Sequence, residues 1–275
     1  MKRQILTSIA VILTILSFGQ TDTIFSNNEK ISCSVKEITP DAVKYTFPGE
    51  DLTTTIYKNA VQKIVFKSGR IQTFSESTSF KKVASVMDFE NVTVTQVESE
   101  VRGLFKVGDV SSKAKGATTL SNQERVKERA YHKLKIQASM QGANIIYLTN
   151  MRTEGNKAGG YYQSGSSAEA SLTGVAYTTQ LPNYKDFESL IKDKRNFIAV
   201  QEFKLWSSSS DMSQSDIKTK FKIINISNEN GLIMLEGQLD GVSKYSKFRV
   251  VSFSSDSFNI FYEDKSTAYN LKIEI

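Results

Sequence analysis

An α+β fold, mostly β, is predicted from three features of the sequence. Short alternating apolar runs separated by turn residues recur in both halves of the chain, one long amphipathic helix stands between them, and a basic-then-apolar leader precedes everything. They divide the chain into a signal peptide (1–19), a small β module (20–80), a small α+β domain (81–180) and an antiparallel β meander (181–275).

In the leader, Lys2 and Arg3 precede the apolar run Ile5 to Phe18 and the small residues Ser17 and Gly19, so cleavage is expected after Gly19. The run is shorter than the roughly 20 residues a spanning helix needs. No cysteine follows it directly, so no lipid anchor and no stable membrane insertion after cleavage are expected. The formal charge of +6 falls to +4 when Lys2 and Arg3 leave, and the lysines are spread rather than clustered. A nucleic-acid partner is therefore not expected. An exported protein, periplasmic or extracellular, is the resulting expectation. The single cysteine excludes an internal disulfide, so the fold must rest on burial.

The β module reads as an SH3-like or Sm-like unit. Ile31, Cys33 and Val35 alternate, Val43, Tyr45 and Phe47 do the same, and Val61, Ile64, Phe66, Ile71 and Phe74 recur around Ser68-Gly69. Turns are expected at Asn27-Asn28 and Thr39-Pro40-Asp41.

The α+β domain opens with strand-like Val92 to Val97. Ser121 and Glu124 form a capping-box pattern and Gly142 a stop, which predicts a helix over about Asn122 to Gln141. Val126, Ala130, Tyr131, Leu134 and Ala138 form its apolar arc, widened by Ile136 and Met140. Arg125, Glu128, His132, Lys135 and Ser139 lie opposite. Gly142-Ala143-Asn144 leads into the buried strand Ile145 to Leu148, a Gly-, Ser- and Tyr-rich loop spans Gly155 to Ser167, and Ala170 to Tyr177 returns as a strand.

After Pro182, a short helix is expected at Asp186 to Lys192. Phe197 to Trp206, Ile217 to Ile226, Leu232 to Leu239, Tyr245 to Phe253, Phe258 to Tyr262 and Tyr269 to Ile275 read as strands, with Ser207 to Ser215 as a polar loop. Asn230-Gly231 and Asp240-Gly241 supply hairpin turns. The pattern fits both an open sheet and a closed barrel with a ligand cavity.

The stretch Glu124 to Tyr177 resembles the YbjQ-like family through Ala138 on the helix, the step Gly142-Ala143-Asn144 before Ile145, and Thr173-Gly174-Val175-Ala176-Tyr177. The resemblance implies the α+β fold. Similar topology in envelope stress-sensor lipoproteins of Gram-negative bacteria implies action through partner contacts. The start Asp22-Thr23-Ile24 resembles β modules of exported proteins in such bacteria. The family's heavy-metal label implies convergent soft ligands, whereas the one His and one Cys here stand in different segments.

Catalytic chemistry finds little to build on. His132 falls on the polar helix arc one turn after Glu128, where an exposed pair is expected. Cys33 alternates with core residues and has no His nearby in sequence. Asp186 with Glu188, Glu98 with Glu100, and Glu263 with Asp264 are carboxylate pairs in polar stretches. Trp206 is expected in the core, with a cavity mouth at Phe203 and Trp206 as the other reading, and Gly159-Gly160-Tyr161-Tyr162 could anchor a partner. No catalytic, cofactor-binding or metal-ligating residue is expected. The expected function is non-enzymatic binding or sensing of an envelope protein partner. The alternatives are carriage of a small apolar ligand in the C-terminal β domain and carboxylate-based hydrolysis in the envelope.

Overall fold

The computed structural model describes residues 21–26, 29–74, 80–118, 121–155 and 165–275. The signal segment, the Asn27-Asn28 turn and Gly159-Gly160-Tyr161-Tyr162 lie outside them. The protein is mostly β, with antiparallel sheets and a few helices. Two compact units divide it, residues 1–77 and 78–275.

In the first unit, β1 (Asp22–Ser26), β2 (Glu29–Ile38), β3 (Ala42–Thr46), β4 (Thr53–Tyr57), a 3-10 turn (Lys58–Ala60), β5 (Val61–Val65) and β6 (Ile71–Thr73) follow one another. They pair antiparallel in the order β4-β3-β2-β1-β5-β6, an SH3-like order with β6 added. Ile24, Cys33, Val43, Tyr45, Val61 and Ile64 form the core. Asp22 is buried among them, and its two carboxylate oxygens each accept a backbone N–H, from Val35 and from Lys67, at 2.8 Å. One carboxylate thus ties β2 to the end of β5.

The second unit begins with a 3-10 turn (Val86–Asn91), β7 (Thr93–Thr95) and the short α1 (Glu98–Val101). There follow β8 (Phe105–Lys115), α2 (Gln123–Met140), β9 (Ile145–Glu154) and β10 (Glu169–Thr178). The sheet order is β7-β9-β10-β8, with β7 parallel to β9 and the remaining pairs antiparallel. The principal first strand is thus β8 rather than Val92 to Val97. A register shift at Ala176/Tyr177 in its pairing, and Ser112 where an apolar residue would mark the inner face, hide β8 from a period-two search.

Helix α2 differs from expectation at its start. Asn122, not Ser121, is the N-cap, its Oδ1 accepting from the N–H of Glu124 and Arg125. Ser121 instead accepts from Thr118 N–H. At its end, Gly142 takes φ +76° and Ala143 N–H donates back to Ala138 O at 3.0 Å, the left-handed stop that glycine permits. Val126, Ala130, Leu134 and Ala138 pack on the sheet, while Ile136 and Met140 pack with Phe203, Leu205 and Ala268. The helix therefore buries two sides, and Ser139, expected in the polar arc, is enclosed and donates to the carbonyls of Val86 and Ile136.

What the second side meets is a closed barrel. α3 (Tyr184–Ile191) leads into β11 (Asn196–Trp206), β12 (Ser213–Glu229), β13 (Leu232–Leu239), β14 (Lys247–Phe253), β15 (Ser257–Asp264) and β16 (Thr267–Glu274), and β16 pairs back onto β11. Closure removes both sheet edges. Phe197, Phe221, Phe248, Phe258, Leu235, Ile260 and Leu271 fill its interior, and Phe187 of α3 plugs one mouth against Phe253 and Phe258. A barrel of fewer than eight strands has room for side chains and little else.

Side chains join barrel and α+β domain. On β14, the guanidinium of Arg249 donates to Val107 O on β8 and, at 2.9 Å, to Gln141 O at the end of α2. On β16, Asn270 Nδ2 donates to Met140 O at 2.8 Å. The orphan carbonyls of the helix are capped by the barrel. The outer edge of β8 is held likewise: Gln141 donates to Asp109 O, Arg129 to Lys115 O, and Gln137 accepts from Ser111 N–H.

Candidate functional site

At the barrel end away from α3, the inward face continues as Tyr262, Tyr269, Lys204 and Trp206, which register places side by side. Tyr262 and Tyr269 stack at 4.7 Å and 3°, and Lys204 Nζ lies 5.1 Å from the Tyr269 ring and 4.8 Å from that of Trp206. Burial, and then the charge of Glu202, push the Tyr262 phenol upward, so it stays a neutral donor. Trp206 is 39% exposed, which corrects its expected place in the core. It ends β11 at the barrel mouth, where no opposing layer covers it.

Beside Trp206 runs a cleft of about 590 Å³ between the edge of β8, the flank of α2 and the turns that close the barrel. Ser111, Ser112, Lys113, Ser171 and Thr173 line the sheet side, Lys133 and Gln137 the helix, and Leu205, Trp206, Ser207, Glu263, Ser266 and Ala268 the barrel. Gln137 spans the floor, its Nε2 3.4 Å from Glu263 Oε1 while its Oε1 accepts from Ser111 N–H. The turn Lys265-Ser266 has φ +47° and +61°, a left-handed pair without glycine that costs backbone energy and sits at the rim.

Lys133 is the residue that sequence reasoning missed. On the helical wheel it falls between Met140 and Val126, inside the apolar face, and a lysine there is the signal that was available. Only 6% of it is exposed, and Nζ donates to Ser207 O. Desolvation pushes its pKa below the ordinary lysine range.

The other candidates separate. His132 does not pair with Glu128. Its Nδ1 and Nε2 lie 3.5 Å from Glu90 and Asp211, and its ring packs edge-on to Phe89 at 4.9 Å. The 3-10 turn and the barrel's first hairpin reach it before Glu128 can. Lys135, hydrogen-bonded to Glu90, and then His132 hold the Glu90 carboxyl below its usual range. These groups border an open hollow of mixed charge along α2. Phe203 is buried against α2. Of the carboxylate pairs, only Glu263 reaches the cleft. No group of three or more His, Cys, Asp or Glu converges on a metal position among the described residues, and no helix among them is long and apolar enough to cross a membrane.

Cys33 is fully enclosed, and burial, then the nearby Asp22, push its thiol up to about 11. Folded protein should therefore resist a thiol-specific reagent at pH 8, whereas protein in denaturant reacts within the mixing time. Because the folded state holds the proton longer, this residue withdraws stability from the β module as pH rises from about 9 to about 11. A denaturation series at pH 8 and pH 10.5 reads that loss, and a C33A variant should not show it.

Comparison with protein-family models, curated proteins and solved structures returns no match.

Proposed function

We propose that this chain is an exported, non-enzymatic protein of a Gram-negative cell envelope that binds or senses a protein partner, holding a segment of it in the cleft beside Trp206. The observation carrying the reading is the exposed indole at the rim of a polar cleft. Tryptophan and tyrosine are the side chains that most often dominate binding energy at interfaces. Here Lys204, whose ammonium also lies over the Tyr269 ring, sits over the indole before a partner arrives. Ordering costs are thereby met in advance. The leader supports an envelope address, and the resemblance of Glu124 to Tyr177 to the YbjQ-like family supports action by contact.

The test is affinity capture from envelope extract with tagged mature protein and its Trp206→Ala variant. A partner captured by the first and lost, by about tenfold or more, from the second supports the reading. Equal capture by both overturns it. Because Trp206 is the only tryptophan, its emission also reports occupancy directly.

A further inference from the structure

We propose that Lys133 makes the cleft a carboxylate-binding subsite, so that the partner segment is one that presents a carboxylate near an apolar or aromatic side chain. This inference rests on the binding role of the cleft and adds its chemistry.

Buried ammonium groups in folded proteins are paired, or they lose their proton. Among the described residues Lys133 has neither an ion-pair partner nor a second hydrogen bond: its one acceptor is the neutral carbonyl of Ser207. Glu263, the acid of the cleft, is engaged with Gln137 and makes no ion pair with Lys133. An ammonium has three donors, so two remain for a ligand. The walls around it carry hydroxyls on Ser112, Ser171, Thr173 and Ser207, and 590 Å³ is room for a few residues of peptide.

The charge balance selects the class of anion. Lys113 on the sheet side is paired with Glu169 at 2.6 Å, which leaves Lys133 opposed by the carboxylate of Glu263 at the rim, a balance that suits a singly charged group and disfavours a dianion such as phosphate, which would face Glu263 with extra charge. Desolvation that weakens the unliganded ammonium strengthens its bond to an incoming carboxylate. Trp206, on the barrel wall of the same cleft, offers the adjoining side chain a surface to stack on.

The probes are N-acetylated glycyl-glycyl-phenylalanine as the free acid, the same peptide as its amide, and an amidated peptide with an internal glutamate, each titrated against full mature protein by Trp206 emission. The free acid is expected to bind saturably and at least about tenfold more tightly than the amide. Binding of the glutamate peptide at similar strength identifies a side-chain carboxylate as an equal ligand, and its failure assigns the site to a chain terminus. The variant Lys133→Met should abolish the preference for acid over amide. It should also melt no lower than the parent, because it removes a buried charge that lacks a counter-ion. A structural lysine would instead cost stability on removal. Equal binding of acid and amide, no binding of any probe, or a preference that survives in Lys133→Met overturns the inference. Since the peptide comparison needs no variant, it decides even if Lys133→Met fails to fold. If the peptides fail while Trp206→Ala still loses partner capture, the binding role stands without the carboxylate.

Discussion

Replacing Phe187 with alanine is expected to lower the unfolding free energy of the second unit by about 3 to 5 kcal/mol, measured by urea denaturation followed by circular dichroism. Phe187 is fully enclosed in the mouth of the barrel, with its ring centroid 5.5 Å from that of Phe253 and 5.4 Å from that of Phe258. Asn183 caps the helix that delivers it, accepting from Asp186 N–H at 3.1 Å. The loss falls at the upper end for large-to-small changes because a ring of strands paired on both sides cannot collapse onto the vacated space. Phe187→Leu, which refills part of the volume, should recover about half of the loss. A loss under 1 kcal/mol would show that α3 is a lid over a core that stands without it.

Replacing Arg249 with alanine should cost about 3 kcal/mol by the same measurement. The guanidinium is 8% exposed, and burial pushes it down to about 10, partly opposed by Glu263. Holding a cation there is costly, and the return is two carbonyls supplied with donors in a buried seam. One of these, on Gln141, lies at the negative end of the α2 dipole, where a cation is favoured. Truncation strands both carbonyls and removes the guanidinium that lies 5.2 Å from the Phe261 ring centroid. Arg249→Lys keeps the charge but cannot fork to two acceptors, so it should recover less than half. Full recovery by lysine would mean that charge, not geometry, joins barrel to helix.

Much of the fold was legible because it is locally encoded. Alternation in Leu232 to Leu239 and Phe258 to Tyr262, with Asn230 at φ +54° and Gly231 at φ +87° between β12 and β13, identifies strands and a hairpin from a few residues each. Closure of the barrel was not legible. It is a pairing of β11 with β16, and no window of sequence contains both. The parallel pairing of β7 with β9 was hidden for the same reason. At Gly174 a side chain would collide with Tyr147 O, and the glycine marks the register shift between β10 and β9. The cleft was the least legible part. It is assembled from a sheet edge, a helix flank and two barrel turns, and although the helical wheel puts Lys133 inside the apolar face, nothing in the sequence says what lies opposite it. Trp206 was assigned to the core by residue type, whereas its place at the end of β11 decides its exposure.

The capping of α2 by Arg249 and Asn270 bears on how the proposed partner segment would be received. The carbonyls of Met140 and Gln141 take their donors from the barrel strands, and Arg249 also reaches Val107 on β8, so helix end, sheet edge and barrel are tied by one set of hydrogen bonds. The walls of the cleft belong to those three elements. The flank carrying Lys133 and the mouth carrying Trp206 are joined by that seam, and parting them breaks the hydrogen bonds of Arg249 and Asn270. On the proposed binding role, a partner segment would then meet a seat already formed rather than a jaw that closes around it, and discrimination would fall to fit and charge at the moment of arrival.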